Sequence, residues 1–396
     1  MLDRYMGGKI HSFFYGDKLF YPQMLNTVAL HDVVVMPEEF GFSGAWCEGK
    51  PVHLAQLFRN GRQARRQALY SKPVRVVDEP CVWGGVFHGH YGHFLIESMG
   101  SLYAFQKYGD RRIAWRNGRQ DTIPPWASTI LHLTSCDRNG YVFVNEPTLF
   151  KDIVFPLPGL MSDMWLTREQ ADAFAVFEKK PERGLRIWLS RSNIDSDNIV
   201  FTNERELEIL LAERGWLIVH PEELSMEKQL DTLASGEVVM GCIGSAFHTL
   251  LLLKNPGSRY IVINRMNGDS EAHNQQFDMI AKARTSDYYV WEPPKHDAPP
   301  LRPRRTHHAW PWFAFDIEAI GRLLDRSNDF REKIDDYPGM TPISRREVNN
   351  SVRPLLCRHR REPADHLYYA YRRLRKECRP FKDAWVDLRN FWVRSR

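Results

Sequence analysis

Between residues 185 and 264 the chain alternates short apolar runs with longer stretches whose apolar residues recur at helical spacing. The runs Leu185 to Ser190, Trp216 to His220, Glu237 to Gly241 and Arg259 to Asn264 predict strands, and Asn203 to Glu213, Ser225 to Ala234 and Ser245 to Leu253 predict the helices that follow. Strict alternation with apolar strands predicts a parallel sheet covered by helices on both faces, a doubly wound Rossmann-like lobe. Sheets of this kind take their ligands beyond the carboxyl ends of the strands.

The pattern before residue 185 is different. His11-Ser-Phe-Phe-Tyr, Asp32-Val-Val-Val-Met and Pro73-Val-Arg-Val-Val are β-rich runs separated by turn residues. Helical spacing takes over from Gly92 to Gln106, followed by a strand at Arg112-Ile-Ala-Trp and a helix at Trp126 to Leu133. A polar helix near Thr167 to Lys179 and the Lys180-Pro-Glu-Arg-Gly linker lead into the alternating region. Pro293 to Thr306, rich in Pro, Arg and His, reads as a linker, with helices expected at Trp312 to Leu324 and Leu367 to Trp392. The expected organisation is an α/β chain of three parts: 1–165, with a β-rich start and then α/β; 166–293, Rossmann-like; and 294–396, a linker with a basic helical C-terminal segment.

Composition narrows the class. A chain of 396 residues with 43% hydrophobic content exceeds the ~250 to 300 residues at which a single core stops growing, so two lobes are expected. The longest uncharged run, Val238 to Leu253, contains two glycines and a histidine and falls short of the ~18 apolar residues of a membrane span. The start of the sequence lacks the apolar core of a secretory signal, which predicts a cytoplasmic location. The six cysteines lie far apart without a CxxC pair, which argues against both a zinc knuckle and a disulfide framework. The net charge of +5 is unevenly spread: Arg353 to Arg396 holds 13 Lys or Arg against 5 Asp or Glu, so the remainder is slightly acidic. That basic, aromatic tail offers a peripheral contact with the inner face of a membrane, or a solvated helix face packed back on the body. Nucleic acid is a less favoured partner, and self-association into a homo-oligomer is left open.

Two groups of residues carry candidate chemistry. The first lies on one edge of the predicted parallel sheet. Its first strand ends Trp188-Leu-Ser-Arg-Ser-Asn, where Arg191 offers phosphate oxygens a fixed fork of donors and Ser190 and Ser192 a hydroxyl each. Its third strand ends Gly241-Cys-Ile-Gly-Ser-Ala-Phe-His, where Gly244 admits a close backbone approach, Ser245 can cap the next helix, and the helix start presents free N–H groups near Ala246. His248, one turn on, faces the ligand or merely packs.

The second group is Phe87-His-Gly-His-Tyr-Gly-His-Phe-Leu-Ile-Glu-Ser. With a helix starting near Tyr91, His93 and Glu97 stand four apart on one face, so the carboxylate can fix the imidazole tautomer or act as the base itself. The plainer reading is a buried histidine satisfied by a carboxylate. His88, His90 and His93 lack a His-Glu-x-x-His pattern and a fourth ligand, so no metal is expected there. Asp195-Ser-Asp197 sits in a polar loop, where turn formation explains it.

The order of these elements resembles the family 61 glycosyltransferases. The resemblance rests on Leu189-Ser-Arg-Ser, Asn203-Glu-Arg-Glu-Leu, Pro221-Glu-Glu-Leu-Ser, Gln229 and Val238-Val-Met-Gly-Cys-Ile-Gly-Ser-Ala, with Gly92, His93 and Glu97 matching a second family segment. Ile243 stands where the family commonly has His, and Thr249 where it has Asn. The resemblance implies a GT-B fold, two Rossmann-like lobes facing a cleft, that inverts the anomeric centre in a single displacement without a metal or other cofactor. It implies that 166–293 binds a nucleotide-sugar, expected to be a UDP-sugar, through Arg191, Ser192, Glu222, Gly244, Ser245, Ala246 and His248. It implies that 1–165 binds a glycan or lipid-linked glycan acceptor near His88, His90 and Tyr91, with Glu97 or His93 as base, in synthesis of a surface polysaccharide or related glycan. The alternative is a non-catalytic nucleotide- or glycan-binding protein that keeps the fold.

Overall fold

The computed structural model describes residues 27–39, 42–55, 58–59, 62–63, 66–117, 122–161, 165–194, 201–264, 271–284, 286–298, 312–326, 330–331, 334 and 337–342. The chain divides into two compact units, Met1–Arg353 and Pro354–Arg396, and every described residue belongs to the first. The expected strand at His11, the Asp195-Ser-Asp197 turn, most of the Pro/Arg/His linker and the basic helix at Leu367 to Trp392 lie outside the described residues.

Two large sheets organise the first unit. In the first, Tyr141–Val144, Arg112–Asn117, Cys81–Phe87 and Thr148–Pro156 pair in parallel, and Thr27–Glu39 and Phe42–Cys47 extend the sheet antiparallel from Thr148–Pro156. Apolar runs explain the interior strands: Val82, Trp83, Ile113, Trp115, Val142, Ile153 and Phe155 are all buried. Helices follow the parallel strands as the spacing predicts, with one correction. The segment Gly92 to Gln106 is not one helix but an α-turn at Tyr91–His93, a π-helical stretch at Phe94–Ser98 and a separate helix at Leu102–Lys107. The interruption falls at Gly100, where a side chain would come within 2.9 Å of the Leu160 carbonyl, and whose own carbonyl accepts from Leu160 N–H at 3.0 Å.

The second sheet has the order Leu217–Val219, Glu182–Leu189, Gly236–Cys242, Arg259–Ile263, Asp287–Trp291, Met340–Pro342. Its first five strands are parallel and the last is antiparallel. In chain order the parallel strands run second, first, third, fourth, fifth, so the progression reverses between Glu182–Leu189 and Gly236–Cys242. Sheets of this kind take their ligands at such a reversal, beyond the carboxyl ends of the two strands. The helices Glu204–Glu213 and Met226–Ser235 match the expected segments, the latter capped by Ser225 accepting from Lys228 N–H.

Three expectations need correction here. The Ser245 to Leu253 segment is a 3₁₀ helix, Ser245–Leu252, and its cap position is Gly244, so Ser245 is the first helical residue and not the cap. The helix expected at Thr167 to Lys179 ends at Phe174, because Val176 and Phe177 N–H groups both turn to Leu252 carbonyl. At Trp312 to Leu324 the first part is a strand, Phe313–Phe315, and the helix is Ile317–Arg326. Phe315 leaves the helical pattern to stack on Phe201 at 3.8 Å between ring centres.

One apolar cluster joins helical residues from both halves, including Phe94, Leu102, Phe105 and Leu131 with Leu230, Phe247, Leu250 and Leu251. Arg284, buried beside this cluster, donates to the carbonyls of Ala171 and Leu251 and so ties the 3₁₀ helix to its neighbours. Burial lowers its guanidinium to about 10. Among the described residues no helix is long and apolar enough to cross a membrane.

Candidate functional site

The parallel strand Cys81–Phe87 delivers its carboxyl end to His88, and the turn into the helix at Tyr91 presents the histidine cluster. Glu97 lies at its centre. Its Oε1 is 2.7 Å from His93 Nδ1 and its Oε2 is 3.0 Å from His88 Nε2. The first contact is a hydrogen bond; the second has the distance of an ion pair but not the direction of a hydrogen bond. Glu97 is largely covered, with 13% of its side chain exposed, whereas His93 has 45% exposed, so the imidazole reaches solvent and the carboxylate stands behind it. A carboxylate accepting at Nδ1 leaves Nε2 of a neutral ring free to take a proton. The rings of His88 and His90 lie 5.5 Å and 5.2 Å from that of His93. Burial, then the neighbouring His93 and His88, then Arg191, push His90 below the usual histidine range.

Tyr91 turns away from this cluster. Its hydroxyl lies 2.6 Å from Thr249 Oγ1 and 3.4 Å from Met226 Sδ, and burial raises it well above the usual phenol range. Thr249 is thus occupied in binding Tyr91, and Ile243 is buried in the core.

The sheet reversal places the second group. Leu189 and Gly241 are in register at the ends of adjacent strands, and a Cβ on Gly241 would come within 2.9 Å of Leu189 carbonyl oxygen, so these backbones require glycine. Beyond them Arg191 packs on Gly244: a Cβ there would stand 2.9 Å from Arg191 Nη1. The guanidinium and the start of the Ser245 helix therefore converge on one edge, where the first N–H groups of a helix attract anions. Ser192 Oγ is buried without a hydrogen-bond partner. Ala246 lines a small hollow with Leu189, Val219, Pro221 and Leu224, which puts the Pro221–Glu223 turn on the same edge. Glu222 is exposed there, and His220, Glu222 and Glu223 bring one ligand atom each within 4.8 Å of one another, close enough to share a cation.

The two groups meet. A Cβ on Gly92 would stand 2.8 Å from His248 Nδ1 and 3.0 Å from Ser245 Cβ, so the residue before His93 lies against the helix start that follows Gly244. His248 is buried, flat on Phe277 at 4.7 Å, and neither ring nitrogen has a well-directed hydrogen bond. Burial lowers it to about 3, with the Gln276 amide nearby acting the other way. His248 is therefore a neutral packing residue beneath the site rather than an open ligand contact.

Ser190, expected to offer its hydroxyl to a diphosphate, is instead buried with that hydroxyl committed to Glu208, and the sequence reading assigned no role to Glu204 or Glu208. Arg191 N–H donates to Glu204 Oε1 at 2.9 Å, and Ser190 Oγ donates to Glu208 Oε1 at 2.5 Å. Two glutamates four apart at a helix start, directly after a Ser-Arg strand end, were the available signal.

Residues 91–262 match the model of the family described as Glycosyltransferase 61. The matched stretch, less than half of the chain, contains His93, Glu97, Arg191 and Ser245. No curated protein matches the chain.

Proposed function

We propose, for a chain that through residues 91–262 belongs to the family 61 glycosyltransferases, an inverting transfer of a sugar from a nucleoside diphosphate sugar, a UDP-sugar first, to a glycan hydroxyl. The observation that carries this reading is the contact of Gly92 with Ser245 and His248, which brings a His–Glu pair and an anion-attracting strand end to one place. Transfer with inversion needs both: a base at the attacking hydroxyl and positive groups at the leaving diphosphate.

In this reading His93 is the base. Its Nε2 accepts the proton of the acceptor hydroxyl as that oxygen attacks the anomeric carbon, while Glu97 holds Nδ1–H and stabilises the imidazolium that forms. The bond to the diphosphate breaks on the opposite face. Arg191 and the N–H groups at Ser245 take up the charge that develops on the leaving oxygens. His88 and His90 border the acceptor side, and Ser192 and Glu222 the donor side. A two-lobed GT-B arrangement, an acceptor in surface polysaccharide or a lipid-linked glycan, and a peripheral membrane contact through the basic C-terminal segment complete the proposal.

Transfer from a panel of radiolabelled nucleotide-sugars tests it. His93→Ala is expected to slow turnover by about 10²- to 10⁴-fold, the usual contribution of a positioned base, and Glu97→Gln by a smaller factor with donor affinity kept. Wild-type turnover in both variants would remove the assignment, and binding of donor without any turnover in the wild type would favour the non-catalytic alternative.

A further inference from the structure

The strand end that carries Arg191 is held from below by two carboxylates. Glu204 and Glu208 stand one turn apart on the helix Glu204–Glu213, facing the end of the strand Glu182–Leu189. Ser190 is fully buried, Glu204 is 6% exposed, and three consecutive residues are fixed between them. Ser190 Oγ donates to Glu208, Ser192 N–H donates to Ser190 Oγ at 3.0 Å, and Arg191 N–H donates to Glu204 Oε1 at 2.9 Å. Ser190 has one proton to give, and Glu204 Oε1 at 3.5 Å is its more distant partner. Glu204 is thus left with the Arg191 amide as its principal donor.

A buried carboxyl beside a second carboxyl is costly, and a fold that only needed packing would place an apolar side chain there. What Glu204 does instead is fix the peptide from which Arg191 extends, whose guanidinium packs against Gly244. We propose that Glu204 is a positioning residue for Arg191: together with Glu208 and Ser190 it sets the backbone of residues 190–192 so that the guanidinium stays at the anion-binding edge, without itself touching the donor. This rests on the donor-site reading given above. Burial raises Glu204 to about 7, with the neighbouring Glu208 acting in the same direction and the Arg191 amide and charge acting against it. An amide oxygen can accept the Arg191 N–H as a carboxyl does, so glutamine should serve in its place.

The experiment is a double-mutant cycle read by calorimetric titration of UDP into the full chain. Arg191→Ala and Glu204→Ala are each expected to weaken UDP at least tenfold, Glu204→Gln less than threefold. Because Glu204 acts through Arg191, adding Glu204→Ala to Arg191→Ala should cost little more, whereas a merely structural role would carry the same penalty in both backgrounds. Should Glu204→Ala fail to fold, Ser190→Ala removes the other anchor with little change of volume and should weaken UDP at least threefold. Wild-type affinity in Glu204→Ala or Ser190→Ala, or full additivity in the cycle, overturns the positioning role alone. Wild-type affinity in Arg191→Ala brings down the donor-site reading, and this role with it.

Discussion

Replacing Gly92 by alanine tests whether the two groups of site residues truly share one packed contact. Alanine in a helical turn should gain up to about 1 kcal/mol over glycine. Here the new methyl would lie 2.8 Å from His248 Nδ1 and 3.0 Å from Ser245 Cβ. His248 has little room to yield, since its buried ring is flat on Phe277. Inserting a methyl into a well-packed contact costs about 1 to 3 kcal/mol; with so little room to yield, the upper part of that range, about 2 to 3 kcal/mol, applies, and less the helical gain the net loss should be about 1 to 2 kcal/mol. At about 2 °C per kcal/mol for a unit of this size, Tm should fall by about 2 to 4 °C in differential scanning calorimetry. Gly321→Ala is the control of opposite sign, because a Cβ on that helical glycine meets only ordinary contacts at 3.5 Å with Arg214 and Leu210. Gly92→Ala melting at or above the wild type, with Gly321→Ala raising Tm as expected, would refute the close approach of the histidine turn to the Ser245 helix.

Two further perturbations separate stability from ligand binding. Gly244→Ala places a Cβ 2.9 Å from the far end of the long Arg191 side chain, which can shift at little cost, so Tm should change by less than about 1 °C. UDP affinity should fall about 2- to 10-fold by titration, the worth of one hydrogen bond; unchanged affinity would mean that the guanidinium position is irrelevant to binding. His248 has an acid dependence of known sign. The unfolded chain takes up a proton below its ordinary 6.5, the folded chain only near 3, so stability present above pH 6.5 is lost as pH falls toward 3. At pH 5 the loss is about 2 kcal/mol, and His248→Leu should narrow the difference in Tm between pH 7 and pH 5; an undiminished difference would contradict burial of the neutral ring.

Four of the five parallel strands, Glu182–Leu189, Leu217–Val219, Gly236–Cys242 and Arg259–Ile263, were legible as apolar runs, and the helices Glu204–Glu213 and Met226–Ser235 by their regular spacing, whereas the strand Asp287–Trp291 was not among the expected elements. Arg191 and Gly244 were likewise legible as strand ends of one sheet. What was hidden depended on distant contacts. The break after Ser98 is imposed by Leu160 approaching Gly100, and the Phe313–Phe315 strand by Phe201 stacking on Phe315. The shift from α to 3₁₀ at Ser245–Leu252 accompanies backbone ties to Arg284, Val176 and Phe177, all distant in the sequence. His248 looked like a candidate ligand contact by position, and only its burial on Phe277 identifies it as packing. The role of Glu204 was unreadable for the same reason, since a glutamate in the first turn of a helix is ordinarily a partner of the helix dipole.

The central claim is that Arg191, packed on Gly244 beside the Ser245 helix start, holds the diphosphate of a nucleotide-sugar. Titration of UDP into the wild type and Arg191→Ala measures it most directly. Loss of hydrogen bonds to a charged group, about 1.5 to 3 kcal/mol, predicts a Kd about 10- to 150-fold weaker in the variant at unchanged Tm without ligand. Equal affinity in the two proteins would contradict the account.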